Sequence, residues 1–244
     1  MNKTFNFVGL ALKTHFGITM NIEILQTTEQ NAYIEFESDS DKLAIDHTEN
    51  SLTISHKENE NASSDLSNVN SFGDLCVFLF KKGLSSYSVS GVAKIFIPKD
   101  KNSSLKLKAN NANIKSCAMI DNFKIDINNG EALIKNNINN LNIESNNCNF
   151  KIKGEVKNLE IDSNNGDIKI KGNVENLDIK SNNSDIKLTA NNKIHSWQIK
   201  TNNGDVKINK KDFDGNIYYK GKIINSGSGL GTIKVNGRNP IEIK

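Results

Sequence analysis

The chain has 244 residues, 36% of them hydrophobic and 24% charged, with a formal net charge of +3. That length allows a substantial buried core, and a charge so near balance gives no compositional argument for a polyanion partner. No run of about 18 or more apolar residues occurs, which argues against a helical membrane span, and Met1 to Met20 lack the charged segment, apolar core and small-residue cleavage site of a secretory leader.

As it stands, the sequence therefore predicts a cytoplasmic protein. Cys76, Cys117 and Cys148 are odd in number and far apart, so they form neither a disulfide framework nor a CxxC pair and are expected to be buried thiols.

The first hundred residues read as irregular strands. Alternation of apolar and polar residues recurs at Ile22–Ile24, Tyr33–Phe36, Leu43–Ile45 and Leu52–Ile54, with polar turns between. These segments are expected to form early rungs or a cap. Lys57 to Ser71 has almost no apolar content and predicts a surface loop, the best site for proteolysis. Phe72 to Phe80 is the most apolar stretch, and Val92 to Pro98 predicts the strand that leads into the next region.

From there the sequence repeats. Of the 40 asparagines, pairs begin at 110, 128, 146, 164 and 182, at intervals of 18, and once more at 202 after an interval of 20. Each unit alternates Ile, Leu or Val with Lys, Asp or Glu, the period of short strands, and Asn-Asn-Gly-Asp supplies a corner.

Asn-Gly is also a hairpin signal, so a meander of antiparallel hairpins competes with a parallel β-solenoid. Column identity favours the solenoid. Asn110, Asn128, Asn146, Asn164, Asn182 and Asn202 form one column without exception, and Asn111, Asn129, Asn147, Asn165, Asn183 and Asn203 form a second. A third runs through Asn122, Asn140, Asn158 and Asn176. Amide ladders of this kind bond side chain to side chain only at a rung spacing of about 4.8 Å. The glycine position also varies to Ala112, Cys148 and Ser184, which a turn needing positive φ would resist. The predicted fold is all-β: a single-stranded parallel β-solenoid with 18-residue rungs. It divides into an irregular portion (1–100), a regular portion (101–209) and a C-terminal rung and cap (210–244).

Ile95-Phe96-Ile97-Pro98, then Ser163-Asn-Asn-Gly-Asp-Ile-Lys-Ile170 and Thr201-Asn-Asn-Gly-Asp-Val-Lys-Ile208, resemble a bacterial adhesin-like family, DUF4097, whose members repeat a Gly-Asp-Ile corner. The resemblance covers about residues 20 to 244. It implies a right-handed β-helix and association with the cell surface or envelope, and it carries no catalytic residues.

Lys151, Lys169, Lys187 and Lys207, with Lys115 beyond an interruption at Leu133, make a basic strip that is the candidate ligand-facing surface for an anionic glycan or other envelope component. Like charges at rung spacing repel, and the corner acids Glu131, Asp167, Asp185 and Asp205 are expected to compensate in part. Those acids lack the Gly-Gly-x-Gly-x-Asp pattern of calcium-binding solenoids, so no metal and no cofactor is expected. Because they recur with the repeat instead of breaking it, they do not mark a catalytic site. The strip has no interleaved aromatics for base stacking, so nucleic acid is not an expected partner. His15, His47, His56 and His195 are isolated from cysteine ligands and are expected at the surface. Trp197 takes the place that Leu141, Leu159 and Leu177 hold in other rungs. The chain is thus expected to be a non-enzymatic, adhesin-like binding or structural module. The alternatives are a carbohydrate-active β-helix enzyme and a self-assembling element that forms homo-oligomers through its edge rungs.

Overall fold

The structure, a computed structural model, describes residues 2–7, 10–14, 18–38, 43–48, 52–56, 89–99, 103–189, 196–209, 215–219, 222–225, 231–235 and 242–243. The predicted loop 57–71, the apolar stretch 72–80, Cys76, His15, His195 and the side chain of His56 lie outside the described residues. Every described element is a strand, and the strands join in one 20-stranded sheet. Among these residues no helix is long and apolar enough to cross a membrane.

The regular portion is a parallel stack. Strands β8 (Ser104–Ser116), β9 (Ile120–Ile134) and β10 (Ile138–Ile152) each make a whole rung. Later rungs divide into β11 (Val156–Asn165) and β12 (Ile168–Lys171), β13 (Val174–Asn183) and β14 (Ile186–Thr189), and β15 (Ser196–Asn203) and β16 (Val206–Asn209). Equivalent residues pair directly: Phe123 with Leu141, Leu141 with Leu159, Leu159 with Leu177, and Leu177 with Trp197. The hairpin alternative, which requires antiparallel neighbours, does not describe these rungs. Lys171 still pairs with Thr189 at the 18-residue interval, whereas Asn176 pairs with Ser196 at 20, so the two extra residues fall between Thr189 and Ser196.

Alternation sends Leu159, Ile161, Ile168, Ile170 and Val174 inward, all buried, and their outward neighbours into solvent. At each Asn-Asn pair two successive residues point outward, which turns the chain from one face of the solenoid to the other. The first face takes the segment before the asparagines and the second face the segment after them. Trp197, 2% exposed, fills the leucine column and donates its indole N–H to the Val174 carbonyl at 3.3 Å. A hydroxyl column runs beside the corner: Ser163, Ser181 and Thr201 are buried, the half-buried Ser145 donates to Ser163 at 2.8 Å, and Thr201 donates to the Asn203 carbonyl at 3.2 Å.

The glycine column has a two-rung alternation. Gly130, Gly166 and Gly204 have φ of 141°, 118° and 133°, where a side chain is strained. Ala112, Cys148 and Ser184 occupy the intervening rungs and bury their side chains. A Cβ on each glycine would lie 1.9 to 2.1 Å from the carbonyl oxygen of the Ala, Cys or Ser one rung earlier. The rungs therefore fit only because every second corner lacks a side chain.

The N-terminal region does not stack in chain order. Strand β7 (Val89–Pro98) precedes β8 in sequence, yet β3 (Ile18–Thr27) lies between them, pairing in parallel with both. On the first face β2 (Leu10–Thr14) sits likewise between β6 (Leu52–His56) and β8. Val92 to Pro98 is thus one strand removed from the rung it was expected to enter. Beyond it, β4 (Ala32–Glu37) and β1 (Asn2–Phe7) add antiparallel, as does β5 (Leu43–His47) on β6. Tyr33 stacks on Phe96 at a 4.4 Å ring separation across this join. At the far end β19 (Gly231–Val235) intervenes between β15 and β17 (Gly215–Tyr219), and β18 (Lys222–Asn225) closes that face antiparallel to β17. On the second face β20 (Glu242–Ile243) follows β16 in parallel.

Candidate functional site

The asparagine columns are ladders on the outside of the corners. In the first, each Nδ2–H donates to the Oδ1 one rung earlier, from Asn128 to Asn110 through to Asn202 to Asn182, at 2.7 Å in every case. The second column, Asn111 to Asn203, repeats the pattern at 2.8 to 3.0 Å. The third links Asn122, Asn140, Asn158 and Asn176 at 2.7 to 2.8 Å. Bonded to one another, these amides hold the corners in register.

On the second face the outward column runs across the strands as Glu35, Lys94, Glu23, Lys115, Leu133, Lys151, Lys169, Lys187 and Lys207, and the backbone of Lys207 pairs in register with Glu242. Signs alternate up to Lys115. From Lys151 onward four lysines stand in consecutive rungs, a row about 14 Å long at the standard strand spacing.

Lys115 donates to Glu23 at 2.6 Å; that hydrogen bond holds the Glu23 carboxyl below its ordinary pKa and lifts the Lys115 ammonium above its own. Lys169 bonds Asp167 of its own strand turn at 2.7 Å, which raises its pKa in the same way. Lys151 and Lys187 make no ion pair among the described residues.

A second lysine column stands two residues further along the strands. Lys135, Lys153 and Lys171 are exposed at the same 18-residue interval. Their spacing was open to inspection in the sequence, but only alternation carried past the corner shows that they share a face with the first column. Together the two columns make a wall of seven lysines. Its border is the corner column Asn113, Glu131, Asn149, Asp167, Asp185 and Asp205, in which Asn149 accepts the Asp167 N–H at 2.9 Å and Asp185 accepts the Asp205 N–H at 2.9 Å. Two of these acids are thereby tied to the sheet in part, by a backbone bond or by Lys169, as turn carboxylates commonly are.

The first face is different. Lys108 pairs with Asp126 at 2.8 Å, Lys124 with Glu144 at 2.6 Å and Lys180 with Asp178 at 3.3 Å, so its charges are of mixed sign and several of them pair. Of the cysteines, Cys148 is buried and Cys117 half-buried, which corrects the expectation for the latter. Desolvation pushes the Cys148 thiol up to about 12. His47 lies exposed with Nε2 3.2 Å from the Asn6 carbonyl.

These features define a class: a parallel β-solenoid with asparagine-laddered corners, one charge-balanced face and one lysine wall. The sequence pattern of the Toastrack family, DUF4097, matches residues 12–236, and the chain belongs to that family. A crystal structure from Bacteroides fragilis described as a candidate adhesin superposes with a TM-score of 0.53 at 14% identity, covering 100% of this chain and 96% of the other. A candidate cell adhesion protein from Clostridium sporogenes aligns at 11% identity with a TM-score of 0.30, covering 100% of this chain and 98% of the other. None of the curated proteins matches the chain.

Proposed function

We propose that this chain is a non-catalytic, adhesin-like solenoid that holds an anionic polymer of the cell envelope along its lysine wall. The observation that carries the reading is the in-register row Lys151, Lys169, Lys187 and Lys207, four cations in consecutive rungs with no acid between them. A like-charge row of this kind costs stability, and a linear counter-charge laid along the solenoid axis relieves it. The adhesin-like description of the Bacteroides fragilis relative agrees with an envelope-facing role.

The test is binding of the purified chain to immobilised anionic and neutral glycans, beside a variant carrying Lys→Gln at 151, 169, 187 and 207. Salt-sensitive retention on anionic glycans only, lost in the variant, is the expected result. Equal retention of both proteins would remove the wall from the account.

A further inference from the structure

The lysine row breaks once, at Leu133, and the break is also where the second face is hollowed. A groove of about 630 Å³ runs there from Val92 on β7 to Lys169 on β12. It crosses six neighbouring strands, about 24 Å at strand spacing, and so lies along the solenoid axis. We propose that this groove is a subsite for a carboxylated sugar, a uronic-acid unit of a linear glycan, seated on Leu133 with its carboxylate on Lys151. The inference rests on the lysine-wall reading and names the chemistry of the polymer.

Charge decides the ligand class. Lys115 is held by Glu23 and Lys169 by Asp167, which leaves Lys151 as the cation without an ion pair among the described residues that line the groove. Three carboxylates, Glu23, Glu131 and Asp167, line the same groove. A polysulfate or polyphosphate would bring dense negative charge against all three. A ligand with one negative charge and many hydroxyls meets one free cation and several acceptors instead.

The remaining surface fits a pyranose. Leu133 offers an aliphatic step for the apolar face of the ring, and Val92, 38% exposed, offers another at the far end. Glu131 makes no hydrogen bond or ion pair among the described residues and is open to sugar hydroxyls; Asn149 spends its Oδ1 on the Asp167 N–H and keeps its amide N–H groups to donate. A few polar groups converging on an apolar floor are the usual form of a small-ligand site. The repeat supplies the wall, and its one local exception supplies the recognition.

The test compares polygalacturonate, dextran sulfate and neutral dextran as probes, at matched salt, against the full chain and two variants. Leu133→Lys completes the lysine row and fills the groove. It should gain affinity for dextran sulfate and lose about tenfold for polygalacturonate, the worth of one or two hydrogen bonds. Glu131→Ala makes the wall more positive, yet should weaken polygalacturonate binding while leaving dextran sulfate binding unchanged or stronger. Burial of the Trp197 indole, read by fluorescence, reports that each variant is folded. Parallel strengthening of both polymers by both variants would overturn the subsite and leave the wall as a uniform cation strip. Failure of the unmodified chain to bind either polyanion would overturn the wall and the subsite together.

Discussion

Gly166→Ala probes the alternation of rungs more sharply than any change in the apolar core. Gly166 has φ of 118°, and an added Cβ would stand 2.0 Å from the Cys148 carbonyl oxygen and 2.6 Å from its carbon. The obstructing atoms are backbone within a strand paired on both sides, so no rotamer relieves the contact. To reach the 3.0 Å below which real Cβ atoms essentially never come, the two corners must part by about 1 Å. Strain at positive φ costs about 1–3 kcal/mol. Parting the corners also loosens the Asn164–Asn146 and Asn165–Asn147 bonds, each worth about 0.5–1.5 kcal/mol. The expected loss is about 3–5 kcal/mol.

Ala112→Gly, three rungs earlier, removes a side chain where one is accommodated and should cost about 1 kcal/mol. Urea unfolding followed by the fluorescence of Trp197, the one tryptophan, measures both on the same probe. Midpoints for the two variants that coincide would refute the argument that alternate corners require the missing Cβ.

Three further outcomes follow from the same geometry. Asn164→Ala, which breaks a ladder bond on each side, should cost about twice as much as Asn110→Ala, which breaks one at the ladder's end, in the range of about 1–2 against about 0.5–1 kcal/mol by the same urea assay. Cys148 should resist alkylation at pH 8 in the folded chain and react once unfolded, as peptide mapping would show; because folding raises its pKa to about 12, its contribution to stability is full below the ordinary thiol range near 9 and falls as pH rises towards 12, a loss that Cys148→Ala should not show. Replacing Lys151, Lys169, Lys187 and Lys207 with Gln should raise the thermal midpoint at low salt, and the gain should shrink as added salt screens the row.

How far each feature could be read from the sequence follows from the range of the interaction that makes it. Ladders and rung register are legible because each contact joins residues one repeat apart, so the columns Asn110 to Asn202 and Leu141 to Trp197 are visible as soon as the chain is aligned on itself. The interleaving of β3 between β7 and β8 is not, since Ile22 meets Ala93 and Ile114 across long, non-repeating stretches of chain that share only the period of a strand. The variation from Gly166 to Cys148 and Ser184 looks like tolerance in sequence; the carbonyl that each glycine must clear shows it to be a rule of alternation.

For the site, the row Lys151 to Lys207 was legible from spacing. The column Lys135, Lys153 and Lys171 obeys the same interval and the same alternation two residues further on, and was legible in the same way. Leu133 could be seen as an interruption of the row. That a groove passes it from Val92 to Lys169 was not legible, because the strands of Val92 and Glu23 reach this face across long, non-repeating stretches of chain.

The central claim is that the lysine wall is the working surface, and the salt dependence of its binding tests that most directly. The affinity of the full chain for polygalacturonate should fall linearly with the logarithm of salt concentration, with a slope that counts the cations engaged. With Lys151, Lys169, Lys187 and Lys207 changed to Gln, the slope should flatten by about two to three units and the low-salt affinity should collapse. A slope unchanged by the four substitutions would contradict the account, because the polymer would then be held elsewhere on the molecule.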